Sequence, residues 1–433
     1  MASIAEAPRE SFRLSQLIYD TRYRSYTIQV IVLILFLLFI GWLVDNTIQN
    51  LAAKDKDIDF GFLWQRAGYD IDQQLIPYTN DSTHGRAAVV GLINTLVVAF
   101  FACILATVIG VFAGVLRLSG NWIIGRLMTV YVETFRNVPL LLWIILAFTI
   151  FSETMPEPKD FKVTQQILDS GGEPAASKIL FGTVAVTNRG SNIPAPMVER
   201  PLGHVEILTV PVNLTFIAAL LILLASVWGY RRLRAHARAV QEATGVRPVT
   251  WWKSLAIVVL PVTLFLWALG FHLEIPAFPA DENGVSKGFN FQGGINVAHS
   301  FTALLIALSL YHGSYVAEIV RGGILAISRG QTEAAFALGL RPGRTMSLVI
   351  LPQALRVIIP PLISQFLNIT KNTTLGMAIS YLDLKGTLGG ITLNQTGREL
   401  ECMLLMMLIY LILSLIISAI MNVYNEAMRL KER

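Results

Sequence analysis

The chain predicts an all-α, polytopic membrane protein with about eight transmembrane helices. Three observations predict it. The 433 residues are 54% hydrophobic and only 15% charged, whereas a soluble protein carries about 25% charged residues. Long charge-free runs recur, and each spanning helix needs roughly 20 apolar residues. Basic residues gather in alternate loops between those runs, as topology signals do. The net charge of +5 therefore belongs to membrane-flanking loops, and no nucleic-acid partner is expected.

Residues 1–26 are polar and carry Arg9, Arg13, Arg22 and Arg24. Span one covers Ile28–Val44, with Trp42 near its outer end; its length and the lack of a small-residue cleavage site argue against a cleavable signal. Residues 45–86 hold Asp45, Asp55, Asp57, Asp59, Asp70, Asp72 and Asp81 against few bases. Span two is Ala87–Leu116, Arg117 and Arg126 flank a short loop, and span three is Leu127–Phe151. The polar insert 152–208, with Pro156-Glu157-Pro158 and Gly171-Gly172, has the turn chemistry of an exposed loop or small appended lobe. Span four is Thr209–Tyr230. The next loop holds Arg231, Arg232, Arg234, Arg238, Arg247 and Lys253 against Glu242. Span five is Ser254–Leu273, residues 274–296 are polar and Gly-rich, and span six is Val297–Val320. Span seven lies within Ser347–Leu382 and span eight is Glu401–Tyr424; the tail carries Arg429, Lys431 and Arg433.

Eight spans put both termini on one side. The N-terminus, the loops 117–126, 231–253 and 321–345 and the tail are basic, and they alternate with acidic or neutral loops at 45–86, 152–208, 274–296 and 383–400. Basic loops face the cytoplasm, so both termini are expected there. Trp122, Trp228, Trp251 and Trp252 fall at the inner boundary, as an aromatic belt does. Cys103 and Cys402 lie in apolar segments as packing residues, and nothing suggests a metal site.

Between spans six and seven, Arg321–Gln353 holds a short polar helix candidate, Gln331–Leu338, then Gly339 and a Pro342-Gly343 turn. Ser328 and Gln331 have capping-box spacing, Glu333 in the first turn suits the helix dipole, and Gly339 suits a left-handed stop. Physically this is a helix–turn element held outside the bilayer; an amphipathic connector has the same pattern. The residues Glu333-Ala334-Ala335, then Gly339 and Val349-Ile350-Leu351-Pro352, with Gly330 before them, closely resemble the EAA loop of ABC importer permeases, where Ile is usual in place of Val349. The resemblance extends to the polar amino-acid, histidine-permease type, and within it to the general L-amino-acid permease subgroup, whose members carry extra material where this chain has 152–208 and spans four and five.

Further motifs carry the likeness. Tyr131-Val132-Glu133-Thr134-Phe135-Arg136-Asn137-Val138-Pro139-Leu140-Leu141 resembles the family's Y-V-E-x-F-R-N-x-P-L-L segment, with Trp143 near the place where a Gln is common. Ala317-Glu318-Ile319-Val320-Arg321-Gly322-Gly323 resembles A-E-x-x-R-G-G. Charges in a span cost about 2.5–3.5 kcal/mol each by insertion scales, so they face a partner or a water path. Cross-pairing of Glu133 with Arg321 and of Arg136 with Glu318 is expected, either as an inner gate or as a buried brace. Pro360-Pro361 should kink span seven, and Asn368-Ile369-Thr370-Lys371-Asn372-Thr373-Thr374 is a polar knot of the sort that breaks a helix and lines a cavity. Lys371, in a run resembling the family's K-[DN]-[ST]-[ST]-L, is the candidate for a substrate carboxylate, with snorkelling to an interface as the plain alternative. Asn94-Thr95 resembles the family's N-T pair, or serves helix–helix hydrogen bonding.

The resemblance implies a type I ABC importer permease core with a long periplasmic insert. Residues 1–86 would be the N-terminal segment, first span and outer loop; 87–151 the first part of the core; 152–296 the insert with two extra spans; and 297–433 the second part, with the coupling loop at 321–352. It implies a multi-pass subunit of a bacterial inner membrane importer for L-amino acids. Expected partners are ABC ATPase subunits, a second homologous permease in a heterodimer, a periplasmic amino-acid-binding protein and the lipid bilayer. No catalytic residue, metal or cofactor is expected in this chain. ATP and Mg would be bound by the partner ATPase, and no G-x4-G-K-[ST] motif occurs here. The alternatives are an ion-coupled secondary amino-acid transporter, against which the absence of an evident repeat argues, and a membrane scaffold, against which the 368–374 knot argues.

Overall fold

The computed structural model describes residues 21–53, 58–207, 210–246 and 248–428. Arg9, Arg13, Asp55, Asp57, Arg247, Arg429, Lys431 and Arg433 fall outside the described residues, as does the Arg22 side chain. Two compact units are present, residues 1–61 and 62–433. In the first, helix α1 (Thr21–Ala52) exposes its whole apolar length, for instance Leu35, Leu38 and Trp42. That is the condition of a helix solvated by lipid.

The second unit is a helical bundle with a small β lobe. Its long elements are α2 (His84–Leu116), α3 (Trp122–Asn137), α4 (Leu140–Thr154), α5 (Leu214–Thr244), α6 (Trp251–Ala268), α7 (His299–Leu325), α8 (Arg329–Ala337), α9 (Leu351–Asn372) and α10 (Glu399–Met428). Among the described residues, seven helical spans are long and apolar enough to cross a membrane, and the bent pair α3–α4 makes an eighth if taken as one span. The eight expected spans are thus recovered, with ends displaced by a few residues.

Span three is not straight. Pro139 has no amide proton to donate, and its ring forces Val138 out of the helical region, to φ −103° and ψ 134°. Helices α3 and α4 meet at 105°. Span seven is irregular as well. The sequence predicts a kink at Pro360-Pro361 and a break at 368–374; the α-helix runs through both prolines and ends inside the second stretch, at Asn372, where a 3-10 turn takes over. Both prolines lie on its exposed face, where a helix can open its hydrogen bonds slightly without breaking. The irregular turns fall on either side: a π-helical stretch at Met346–Ile350 and a 3-10 stretch at Thr373–Ile379, closed by Ser380 in the left-handed region at φ 59°.

The core forms where α2 runs against α7. Gly110 and Gly114 make this possible: a Cβ on Gly110 would stand 2.4 Å from the Val316 Cβ, and one on Gly114 would stand 2.6 Å from the Ala317 carbonyl oxygen. Small residues let membrane helices approach to backbone contact. Val98, Ala102, Ile144, Leu304, Leu308, Ile369 and Tyr381 fill the buried centre between α2, α4, α7 and α9.

The insert is a lobe, with short strands that the sequence did not announce. β1 (Ala185–Thr187), β2 (Gly190–Ile193) and β7 (Ile295–Val297) form one antiparallel sheet; β3 (Ala195–Val198) pairs with β6 (Phe271–Glu274), and β4 (His204–Ile207) with β5 (Val210–Asn213). Lys162 and Lys178 donate across to the carbonyls of Gly288 and Pro276. The loops 152–208 and 274–296, expected on one side from charge alone, therefore fold together.

Candidate functional site

The bundle gathers the predicted charges at one end of α2, α3 and α7, but not in the predicted pairs. Arg117, which caps α2, is the hub. Its Nη1 donates to Glu318 Oε2 at 2.5 Å, its Nη2 to Glu133 Oε1 at 3.2 Å, and its Nε to Thr129 Oγ1 at 3.1 Å. Arg321 bonds Glu318 one turn earlier on α7, at 2.5 Å. Arg136 faces an aromatic ring instead: its guanidinium carbon stands 5.2 Å from the Tyr315 ring centre. The expected Glu133–Arg321 and Arg136–Glu318 bonds are replaced because Arg117 reaches both carboxylates from the end of α2. The sequence marks Arg117 only as a loop flank. The pairing is well buried on the Arg117 side, whose side chain is 13% exposed.

From Arg136 a polar line runs inward along α7. Tyr315 Oη lies 3.1 Å from Tyr311 Oη, the Tyr311 ring meets His312 edge-on at 5.3 Å, and His312 Nε2 lies 3.1 Å from Asn372 Nδ2. An amide nitrogen donates, so Nε2 accepts. The ring proton then sits on Nδ1 and is donated to Gln365 Oε1 at 3.1 Å. The line thus joins the span-three and span-six motifs to the span-seven motif. His312 and Gln365 escaped the sequence reading, although polar residues inside apolar spans are themselves the signal.

The remaining span-seven residues divide by exposure. Ser364, Asn368 and Lys371 share one exposed face of α9 at helical spacing, and Asn137 is exposed at the end of α3. Thr373 is fully buried and donates to Thr370 O and to Asp383 Oδ2. Thr374 donates to the Lys371 carbonyl. Asn94 and Thr95 are buried: Asn94 Nδ2 donates to the Gln73 and Leu382 carbonyls at 2.8 and 2.9 Å, and Thr95 Oγ1 accepts from the Leu384 amide. They hold the turn that contains Asp383, which lies between spans seven and eight. Burial pushes the Asp383 carboxyl up to about 6, partly offset by hydrogen bonds from the Gly386 amide, Thr373 and Tyr410. No pattern in the sequence marked this acid. Trp143 stacks on Phe135 with centroids 4.3 Å apart, and its buried Nε1 has no hydrogen-bond partner among the described residues.

The helix–turn element exists as α8. It starts at Arg329, two residues before the expected Gln331, so Glu333 is not in its first turn. The capping box does not form, because the Gln331 side chain turns away and accepts from Gln353 Nε2 at 3.3 Å. The end is as expected: Gly339 takes φ 73°, and the Gly339 and Leu340 amides bond the Phe336 and Ala335 carbonyls. Ala335 is buried and anchors the helix, while Gly330, Glu333, Ala334 and Gly339 are exposed, Phe336 by 47% and Leu338 by 82%. Leu351 and Pro352 open α9.

Residues 106–430 match the family model described as binding-protein-dependent transport system inner membrane component. The chain is 62% identical over 434 residues to the glutamate/glutamine/aspartate/asparagine transport system permease protein BztB of Rhodobacter capsulatus, covering 100% of both. It is 40% identical over 426 residues to the general L-amino acid transport system permease protein AapQ of Rhizobium johnstonii, covering 98% of this chain and 96% of that one. A shorter match, 44% over 84 residues and 19% of each chain, links it to BztC, another permease protein of the Rhodobacter capsulatus glutamate/glutamine/aspartate/asparagine system. By the extent of the family match and these full-length likenesses, the chain belongs to the family of binding-protein-dependent transport system inner membrane components.

Proposed function

We propose that this chain forms the translocation path of an ATP-driven importer for L-amino acids. The observation that carries the reading is the polar line Arg136–Tyr315–Tyr311–His312–Asn372, running through an otherwise apolar bundle beside the exposed Lys371. Lys371 on the same α9 face as Asn368 is suited to an α-carboxylate, and the line offers hydrogen bonds along the route. The names of the full-length relatives support amino acids as the cargo.

Helix α8, with exposed Glu333, Phe336 and Leu338, is suited to dock in a groove of a separate ATPase, which would hold ATP and Mg. Its link to α7 and α9 would carry the ATPase's closing motion to Glu318, Arg321 and Lys371. A heterodimeric pore is favoured by the two permease proteins named for the one Rhodobacter capsulatus system. The β lobe would face a periplasmic amino-acid-binding protein, with both termini in the cytoplasm of a bacterial cell. The test is uptake of radiolabelled L-amino acids into liposomes holding the whole complex. Uptake that needs internal ATP and the binding protein supports the reading; uptake driven by an ion gradient without ATP contradicts it and favours a secondary transporter.

A further inference from the structure

We propose that the charged end of the α5–α6 hairpin binds the phosphate of anionic phospholipids. Helix α5 is apolar up to Tyr230 and then turns cationic for roughly four more turns. Arg231, Arg232, Arg234 and Arg238 on α5 and Lys253 on α6 are all exposed, with Glu242 as the acid between them. None of these five cations forms an ion pair among the described residues, whereas Arg117 and Arg321 bind carboxylates.

The cations are not spread evenly. Arg234 lines two adjoining cavities between the helices, one of about 200 Å³ shared with Arg238 and Thr250, and one of about 490 Å³ shared with Tyr230, Trp251 and Ser254. Two guanidiniums with hydroxyls beside them suit a phosphodiester, which accepts bidentate hydrogen bonds. The aromatic rings fix the depth. Trp228, Trp251 and Trp252 are 59%, 71% and 53% exposed, as side chains of a bilayer interface are. Arg232 lies 4.4 Å over the Trp228 ring and Lys253 5.3 Å over that of Trp252, so the cations sit at headgroup level. Basic clusters at the end of a membrane helix draw anionic lipid in this way. An acidic protein partner would meet the charges but leaves the exposed tryptophans unexplained. The inference holds whichever leaflet this end faces.

The test uses the whole complex in bilayers containing spin-labelled phosphatidylglycerol or spin-labelled phosphatidylcholine. The readout is the fraction of each lipid immobilised by protein. Wild type should select phosphatidylglycerol about three-fold, declining at high salt. Arg234→Gln with Arg238→Gln should bring the ratio close to one, Arg234→Lys with Arg238→Lys should keep most of it, and Arg126→Gln should leave it unchanged. A monodisperse, fully helical double-Gln variant that keeps the wild-type ratio overturns the proposal. So does equal displacement of the lipid by millimolar inorganic phosphate, which would make the site a soluble-anion site. Loss of bound ATPase with intact lipid selectivity would make the hairpin a protein dock and overturn it as well.

Discussion

Arg117 bridges two carboxylates from different helices, Glu318 on α7 at 2.5 Å and Glu133 on α3 at 3.2 Å. Removing it leaves two acids facing each other without their shared cation. Breaking a buried pair costs about 3–5 kcal/mol, but the Glu318 and Glu133 side chains are 30% and 50% exposed, and water screens them. Arg117→Gln is therefore expected to lower stability by about 1–2 kcal/mol, measured by unfolding in detergent. Arg117→Glu, which brings a third carboxylate to Glu133 and Glu318, should cost more, and adding Glu318→Arg should recover part of that variant's loss, while adding Arg136→Glu to Glu318→Arg should recover none of the latter's.

The approach of α2 to α7 depends on Gly110. A methyl group there meets the Val316 Cβ and the Gly313 carbonyl, neither of which can rotate away. Gly110→Ala should destabilise by about 1–3 kcal/mol, the cost of overpacking a filled core. Gly120→Ala, where nothing among the described residues stands within 4 Å, is the control, and the same unfolding assay compares them.

Two polar residues from two different motifs, Asn94 and Lys371, should separate structure from transport. Asn94→Ala removes the donor for two carbonyls and should cost about 1–3 kcal/mol of stability. Lys371→Ala touches an exposed side chain and should stay within about 0.5 kcal/mol of wild type, while raising the substrate concentration needed for half-maximal uptake. A Lys371→Ala complex with unchanged uptake would place recognition elsewhere.

Asp383 gives a pH dependence. Its folded carboxyl is raised to about 6 from an ordinary 3.8, chiefly by burial. A raised folded value means that the neutral form is favoured. The associated stability is fully present below pH 3.8 and is lost as pH rises through about 6. Asp383→Asn should flatten the stability profile across that window, and unfolding midpoints between pH 4 and 7 check it.

Much of this was legible in the sequence. Long charge-free apolar runs gave the spans, charge alternation the shared side of the two insert loops, and Gly339 the stop of α8. Side-chain choice among several partners was not legible: Arg117 wins Glu318 because the end of α2 lies within reach of both Glu318 and Glu133, and spacing along one chain does not encode that approach. The bend at Val138-Pro139 had its signal, since Pro139 lacks the donor, but the apolar run on both sides reads as one span. At Pro360-Pro361 the missing donors leave the α-helix continuous, because both prolines lie on its exposed face. Asn94 and Thr95 owe their roles to contacts across the fold, with Leu382 and Leu384 far away in sequence.

The coupling role of α8 is the centre of the account. Substrate-stimulated ATP hydrolysis by the reconstituted complex, wild type against Glu333→Lys, tests it most directly. Glu333→Lys is expected to abolish stimulation by loaded binding protein, or to release the ATPase, because the proposed docking surface is the exposed face of α8. Full stimulation and full transport by the Glu333→Lys complex would contradict it.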